Sequence, residues 1–188
     1  MIRTVCRWNC TSKKVDKMTF RKAKKEDFYK IRSLYWTLID QEQDDPSFPH
    51  WKKGIHPSDE MIQDSIDTGQ LYVLSNDEEI AACVIANDEK VDGYTDAPWQ
   101  LDSDEVIVLH VLAVHPDHRG KGLARRLVEN VIVQERKAGR KALRLDVIEN
   151  NTTAEKLYQK LGFRYIQTKT LYYDVVGEMT FKLYELVL

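Results

Sequence analysis

Residues Val106 to Ala124 have the sequence VIVLHVLAVHPDHRGKGLA, which predicts a strand, a turn and the start of a helix. The run of apolar residues that ends at Val114 predicts a strand covered on both faces. His115-Pro116-Asp117-His118 predicts a turn, and the pattern that follows predicts an amphipathic helix from about Gly122 to Lys137. A strand, a glycine-containing basic loop and a helix N-terminus in this order are typical of a site for a phosphorylated ligand. The first amides of a helix have no partner within it, and glycine lets the backbone approach a phosphate.

The composition is that of a globular protein large enough for one sizeable core. The chain has 188 residues, of which 43% are hydrophobic, and its formal net charge is −2. A dedicated nucleic-acid-binding protein would be strongly basic. The sequence contains neither an apolar run long enough to span a bilayer nor the apolar core of a signal peptide. We therefore expect a cytoplasmic protein without a nucleic-acid or membrane partner.

The cysteines favour a reduced protein without a metal site. Cys6, Cys10 and Cys83 are too few and too scattered for a disulfide framework, and Cys6 and Cys10 lack a second pair that would complete a metal site. Cys83 lies in an apolar run, where we expect it to be a small buried side chain.

Hydrophobic periodicity predicts one domain, residues 18–188, after an N-terminal extension, residues 1–17, that lacks periodicity. The predicted order is β-α-α-β-β-β-α-β-α-β-β, with an antiparallel meander first and a βαβ-like unit after it. This order predicts the α/β (α+β) class, with one mixed central sheet and helices on both of its faces. The last strands, residues 163–167 and 179–187, offer an edge that could pair in a homodimer, so monomer and homodimer both stay open.

The loop Arg119-x-x-Gly122-x-Ala124 differs from the two common nucleotide-binding motifs. It lacks the G-x-x-x-x-G-K-[ST] of a Walker A loop, and its G-x-G-x-x-G is incomplete and not preceded by the first strand. What remains is a short amide-lined turn suited to a pyrophosphate, to which Arg119, Lys121 and Arg125 add positive charge.

Two segments together resemble the GNAT superfamily of N-acetyltransferases. Leu112 to Ala124 is similar to the acetyl-CoA signature Q/R-x-x-G-x-G/A of that family. Asn151 to Phe163, NTTAEKLYQKLGF, resembles the family's N-x-x-A-x-x-L-Y-x-x-x-G-F. One helix and one strand separate the two motifs, and the resemblance covers roughly residues 18 to 188. It implies the acyl-CoA N-acyltransferase fold and acetyl-CoA as cofactor.

The resemblance assigns cofactor-binding roles. It implies that the pyrophosphate binds to the backbone amides of Arg119, Gly120, Lys121, Gly122, Leu123 and Ala124. It also implies that the pantetheine arm pairs with the backbone of Leu112, Ala113 and Val114, whose side chains belong to the core. Asn151 matches a residue that hydrogen-bonds the pantetheine, and asparagine is also a favoured helix N-cap, so both roles are compatible.

Two residues are candidates for proton transfer. Tyr158 matches the family tyrosine near the sulfur of coenzyme A, where a phenol suits protonation of a leaving thiolate; a core aromatic residue is the alternative. His110, in the central strand, is the best-placed general base, because histidine titrates in the required range. Its context LHVLAVH is similar to the LHALAVH of arylalkylamine N-acetyltransferases, whose matching histidine lines the active site. A buried structural histidine, a base role for Glu105 and an ordered water chain stay open.

The acceptor site is expected between the first helix, the loop after it and the loop before the central strand. Tyr35, Trp51 and Trp99 are the candidate substrate-binding residues, and neighbouring acidic side chains would suit a cationic amine. Solvated loops with a few anchoring aromatic residues are the alternative.

We thus expect an N-acetyltransferase that transfers the acetyl group directly to a primary amine, of a small molecule or a peptide, in a ternary complex. A non-catalytic acyl-CoA-binding regulatory module on the same fold is the second hypothesis.

Overall fold

The computed structural model describes residues 18–76, 78–89, 94, 96–173 and 177–188. The predicted N-terminal extension, residues 1–17, lies outside the described residues together with Cys6 and Cys10. Within the described residues, the predicted order of strands and helices is confirmed. No helix among these residues has both the length and the apolar character that crossing a membrane requires.

The strands and helices have the following bounds. The strands are β1 (Thr19–Lys22), β2 (Leu71–Ser75), β3 (Ile80–Asn87), β4 (Val106–Val114), β5 (Ala142–Ile148), β6 (Arg164–Tyr173) and β7 (Gly177–Val187). The helices are α1 (Phe28–Glu42), α2 (Asp59–Asp67), α3 (Leu123–Lys137) and α4 (Thr152–Lys160). Short 3-10 turns at Lys25–Asp27 and Pro116–His118 precede α1 and follow β4.

The seven strands form one sheet in the order β1-β2-β3-β4-β5-β7-β6. Strands β4 and β5 are parallel and the other neighbours are antiparallel, which confirms the predicted mixed sheet. Strand β7 lies between β5 and β6, so of the two strands predicted at an edge only β6 is there. Strand β6 is also longer than predicted, because residues 168–173 continue the pairing with β7 as far as Tyr173 opposite Gly177. The oligomeric state stays a prediction.

Helices cover both faces of the sheet, as predicted. The first face carries α1 and α2, whose apolar side chains, including Ile31, Leu34 and Ile62, pack on Val73 and Ile85; Cys83 is buried there too. The second face carries α3 and α4, which bury the following side chains against β2 to β5 and β7: Leu123, Leu127, Val128, Val131, Ile132 and Tyr158. The sheet is therefore the middle of three layers.

Side-chain caps set where two helices begin. The Ser58 hydroxyl accepts a hydrogen bond from the Met61 amide at 3.0 Å, and α2 starts at the next residue. The Asn151 side chain accepts one from the Ala154 amide at 2.9 Å, and α4 starts in the same way. These caps satisfy amides that the first helical turn leaves without a partner.

Candidate active site

Strands β4 and β5 pair only where they begin. Their parallel register covers three residue pairs, the last of which joins Val108 to Arg144. Strand β4 continues beside β3 as far as Val114, and β5 continues beside β7 as far as Ile148. The two strands therefore separate in the middle of the sheet, and a cavity of about 880 Å³ opens along the gap. This volume is in the range of small-molecule sites.

A bulge in β4 lies at the edge of this gap. Val111 has φ 46°, in the left-handed region that a β-branched residue rarely adopts, and the register with β3 shifts between Cys83 and Ile85. The Tyr35 hydroxyl of α1 donates a hydrogen bond of 2.8 Å to the Val111 carbonyl. This hydrogen bond helps to stabilise the strained backbone of Val111. Val111 lies between His110 and the predicted pantetheine-binding segment, residues 112–114.

The loop before α3 presents free amides to the cavity. Gly122, with φ 73°, is the residue before α3, and the Arg126 amide makes the first helical bond to its carbonyl. The amides of residues 120–124 have no acceptor among the described residues. Gly120 has φ 70°, and a Cβ added at Gly120 or Gly122 would meet no atom within 4 Å. Open glycine backbone and unpaired amides at a helix N-terminus fit a pyrophosphate.

The two basic side chains of this loop are already engaged. The Arg119 amide donates to the Pro116 carbonyl at 3.1 Å, so it is not among the free amides, and the Arg119 guanidinium forms an ion pair with Glu42 at the end of α1. The Lys121 ammonium donates to the Asp117 carbonyl at 2.7 Å. A pyrophosphate would meet the amides of residues 120–124 directly, whereas Arg119 would have to share its charge with Glu42.

Two residues of α4 or its cap line the cavity on the β5 side. The Asn151 Oδ1 atom caps α4, which leaves the NH₂ group of the same side chain able to donate to a ligand. The Tyr158 ring packs edge-to-face on Phe163, and its hydroxyl makes no hydrogen bond to the described residues. Burial, and secondly the charge of Asp146, raise the pKa of Tyr158 above its ordinary value. The phenol is thus protonated at neutral pH and able to donate a proton.

His110 lies on β4 at the start of the gap. Burial lowers the pKa of His110 to about 4, and a hydrogen bond with the Glu89 backbone opposes this shift in part. The Nε2 atom is buried without a hydrogen-bond partner among the described residues. Because the imidazole is neutral at neutral pH, the tautomer with its proton on Nδ1 leaves the Nε2 lone pair able to accept a proton.

Of the three predicted acceptor-site residues, only Trp51 is among the described residues that line the cavity. It packs against Phe48 with ring centroids 5.3 Å apart. Tyr35 is fully buried on the inner face of α1, where its hydroxyl reaches Val111. Trp99 packs on the Arg144 guanidinium, with 4.2 Å between the guanidinium carbon and the ring centroid.

Glu105, the alternative base, is exposed and outside the described lining of the cavity. Its carboxylate lies 4.0 Å from the Lys141 ammonium. Because it precedes β4 on the side where β4 and β5 are still paired, it is far along the strand from the gap.

The structure adds site residues that the sequence analysis did not identify. Asp146 of β5 lines the cavity, and the Tyr94 hydroxyl donates a hydrogen bond of 2.8 Å to its carboxylate. His56, Glu89, Met179 and Phe181 line it as well. The sequence could have indicated Asp146, because it is an acidic residue within the mostly apolar strand ALRLDVI. Burying a carboxylate without a partner costs free energy, so an aspartate at such a position suggests a specific role.

The sequence matches known acetyltransferases. The Acetyltransferase (GNAT) family matches residues 25–163. An L-amino acid N-acyltransferase, MnaT, of Escherichia coli is 36% identical over 75 residues, which are 39% of this chain and 44% of that protein. The chain thus spans less than half the length of that curated relative.

Solved structures of the same fold extend over most of the chain. A GNAT-family acetyltransferase from Streptococcus agalactiae superposes with a TM-score of 0.75 at 23% identity and covers 91% of this chain and 95% of its own. An acetyltransferase from Salmonella typhimurium, solved with its cofactor acetyl-CoA, has a TM-score of 0.67 at 19% identity, with 92% and 94% covered. Since the family profile matches well over half of the sequence, this chain belongs to the GNAT family of acetyltransferases, whose cofactor is acetyl-CoA.

Proposed function

We propose that this protein is an acetyl-CoA-dependent N-acetyltransferase that transfers the acetyl group directly to a primary amine in a ternary complex. One observation carries the proposal. A single cavity between β4 and β5 contains a row of free amides at one end and, beside the gap, an imidazole and a phenol in the protonation states that acetyl transfer needs.

The cofactor would be held by backbone groups and one amide side chain. The amides of residues 120–124 bind the pyrophosphate, the backbone of residues 112–114 pairs with the pantetheine arm, and the Asn151 NH₂ group donates to that arm. When bound, acetyl-CoA supplies an acetyl group activated as a thioester. A site that holds this group in the gap also brings it next to His110 and Tyr158, which removes most of the entropic cost of the reaction.

Proton transfer is assigned to two atoms. His110 Nε2 accepts the proton that the amine nitrogen loses as its bond to the carbonyl carbon forms. The Tyr158 hydroxyl gives its proton to the sulfur as the carbon–sulfur bond breaks, so the products are an amide and a free thiol. No cysteine occurs among the described residues that line the cavity, which supports direct transfer without an acyl-enzyme.

Calorimetry with acetyl-CoA and a thiol-release assay test the proposal together. We expect binding in the micromolar range or tighter, and thiol release with at least one class in a panel of alkylamines, polyamines, amino acids and peptides. Binding without thiol release across the panel would instead support a regulatory acyl-CoA-binding module, and no binding would refute both readings.

A further inference from the structure

We infer that the acceptor is a primary amine with an apolar body and no carboxylate, and that Asp146 binds its ammonium group. The bound ammonium loses one proton to solvent before its nitrogen attacks the thioester, and His110 Nε2 takes the second proton as the carbon–nitrogen bond forms. This inference rests on the proposed function and specifies the substrate class of the same cavity. It departs from the amino-acid substrates named for MnaT.

The strand register places Asp146 at the start of the gap, across from His110. Val108 of β4 pairs with Arg144 of β5. His110 lies two residues after Val108, and Asp146 lies two residues after Arg144 on the parallel strand. Because side chains alternate along a strand, both residues are on the same face of the sheet as the last pair. An amine that reaches His110 Nε2 therefore enters between these two side chains.

The Asp146 carboxylate retains an unused acceptor atom. The Tyr94 hydroxyl donates to Oδ2, while Oδ1 has no hydrogen-bond partner among the described residues. Burial raises the pKa of Asp146, and a cation beside it would favour the charged carboxylate again. An ammonium group satisfies this requirement, because it offers both a positive charge and three donors.

The walls around Asp146 are apolar. Asp146 pairs with Leu183 of β7, so Phe181 and Met179, at successive alternate positions, share its face of the sheet. The loop after α1 and the start of α2 close the cavity from the α1 side with Phe48, Trp51 and Met61. An aliphatic or aromatic body is the chemistry that these side chains accommodate.

The charges in the cavity disfavour a carboxylate on the acceptor. Among the described lining residues the only lysine or arginine side chains are Arg119 and Arg125, both at the α3 end and paired with Glu42 and Glu129. A carboxylate on the acceptor, next to its reacting amine, would therefore lie near the negative charge of Asp146. Neither arginine is close enough to neutralise that carboxylate. Burial also lowers the pKa of His56 and His110, so these imidazoles are neutral at neutral pH.

Three matched amines separate the alternatives in the wild-type protein: leucine, leucinamide and isoamylamine. They share one apolar body, but leucine has a carboxylate, leucinamide replaces it with a neutral amide, and isoamylamine lacks it. We expect kcat/KM for isoamylamine and for leucinamide to exceed that for leucine by about 100-fold or more, because like charges in a buried site repel strongly. Ethanolamine, which lacks the apolar body, should be about 10-fold poorer than isoamylamine.

The variant Asp146→Asn tests the assigned residue. We expect KM for isoamylamine to rise about 10-fold or more while the affinity for acetyl-CoA stays unchanged, since the variant removes the charge but preserves the shape. Asp102→Asn, an exposed aspartate outside the described cavity lining, should change neither value. Circular dichroism and thermal unfolding establish that both variants are folded, and the amine comparison does not depend on either variant.

Each result has one meaning. Equal or better turnover of leucine than of isoamylamine would overturn the substrate class while leaving the proposed acetyltransferase intact. An unchanged KM in folded Asp146→Asn would overturn the role of Asp146. Acetyl-CoA binding without turnover of any amine would overturn the proposed function, and the inference with it.

Discussion

The Tyr35 hydroxyl and the Val111 carbonyl are joined by a hydrogen bond of 2.8 Å that crosses from α1 to the bulge in β4. Val111 has a positive φ of 46°, and the bulge lies where β4 leaves β5 and the cavity opens. Tyr35 was predicted to bind the substrate, but in the structure it contacts the backbone that shapes the site. It is thus a candidate positioning residue.

Tyr35→Phe should therefore reduce turnover as well as stability. The variant leaves the Val111 carbonyl without its partner, which costs about 1 to 2 kcal/mol in the free energy of unfolding. Because the bulge loses a restraint, we also expect kcat to fall about 10-fold. Urea unfolding and steady-state kinetics measure the two effects. Tyr72→Phe is the matched control, since its hydroxyl bonds Glu135 at 2.9 Å outside the described cavity lining; equal kinetic losses in both variants would contradict a positioning role.

Tyr158→Phe should slow the chemical step and leave cofactor binding nearly unchanged. The variant keeps the ring that packs on Phe163 but lacks the proton that the leaving sulfur would take. We expect kcat to fall about 100-fold, in the usual range for loss of a general acid. Calorimetry should give an acetyl-CoA Kd close to that of the wild type. A large rise in Kd with an unchanged kcat would show that Tyr158 binds the cofactor and is not the acid.

Acid should destabilise the wild type more than His110→Gln. The pKa of His110 is about 4 in the folded protein, below its ordinary value of 6.5. The unfolded chain therefore takes up a proton first as the pH falls, and stability is lost between those two values. The extra loss is at most about 3 kcal/mol, and it is absent in the glutamine variant. Urea unfolding at several pH values measures it. Other groups titrate in both proteins, so parallel curves would contradict a neutral buried His110.

Gly122→Ala should weaken acetyl-CoA binding through the backbone. Gly122 has φ 73°, so alanine is strained there by about 1 kcal/mol and places a methyl group at the amide-lined turn. We expect a loss of acetyl-CoA affinity in calorimetry. Gly139→Ala, with φ 82° after the other end of α3, is the control. It should lose similar stability in thermal unfolding and keep its affinity; a loss of affinity in both would show that the effect is only destabilisation.

Asn151→Ala should lose both a helix cap and a ligand contact. Removal of the cap of α4 costs about 1 kcal/mol, and the loss of the NH₂ donor should raise the acetyl-CoA Kd about 10-fold. Ser58→Ala removes the equivalent cap of α2, so we expect the same change in unfolding free energy without a change in Kd. If the two variants bind acetyl-CoA equally well, Asn151 acts only as a cap.

The sequence by itself determined the features that depend on neighbouring residues. The glycines before α3, the Asn151 and Ser58 caps, the buried run of β4 and the amphipathic helices are local, since each depends on residues within a few positions of one another. Two local motifs in the right order were also sufficient to indicate the family, which the profile over residues 25–163 confirms.

Only the tertiary structure decided which side chains meet at the gap. The hydrogen bond of Tyr35 spans 76 residues of sequence, and Asp146 faces the site only because β5 pairs in parallel with β4 and then separates from it. Trp99, predicted at the acceptor site, packs on Arg144 instead. The physical reason is that strand pairing and helix docking are contacts between distant segments. Their register determines which side of the sheet a residue occupies, and local periodicity carries no information about that choice.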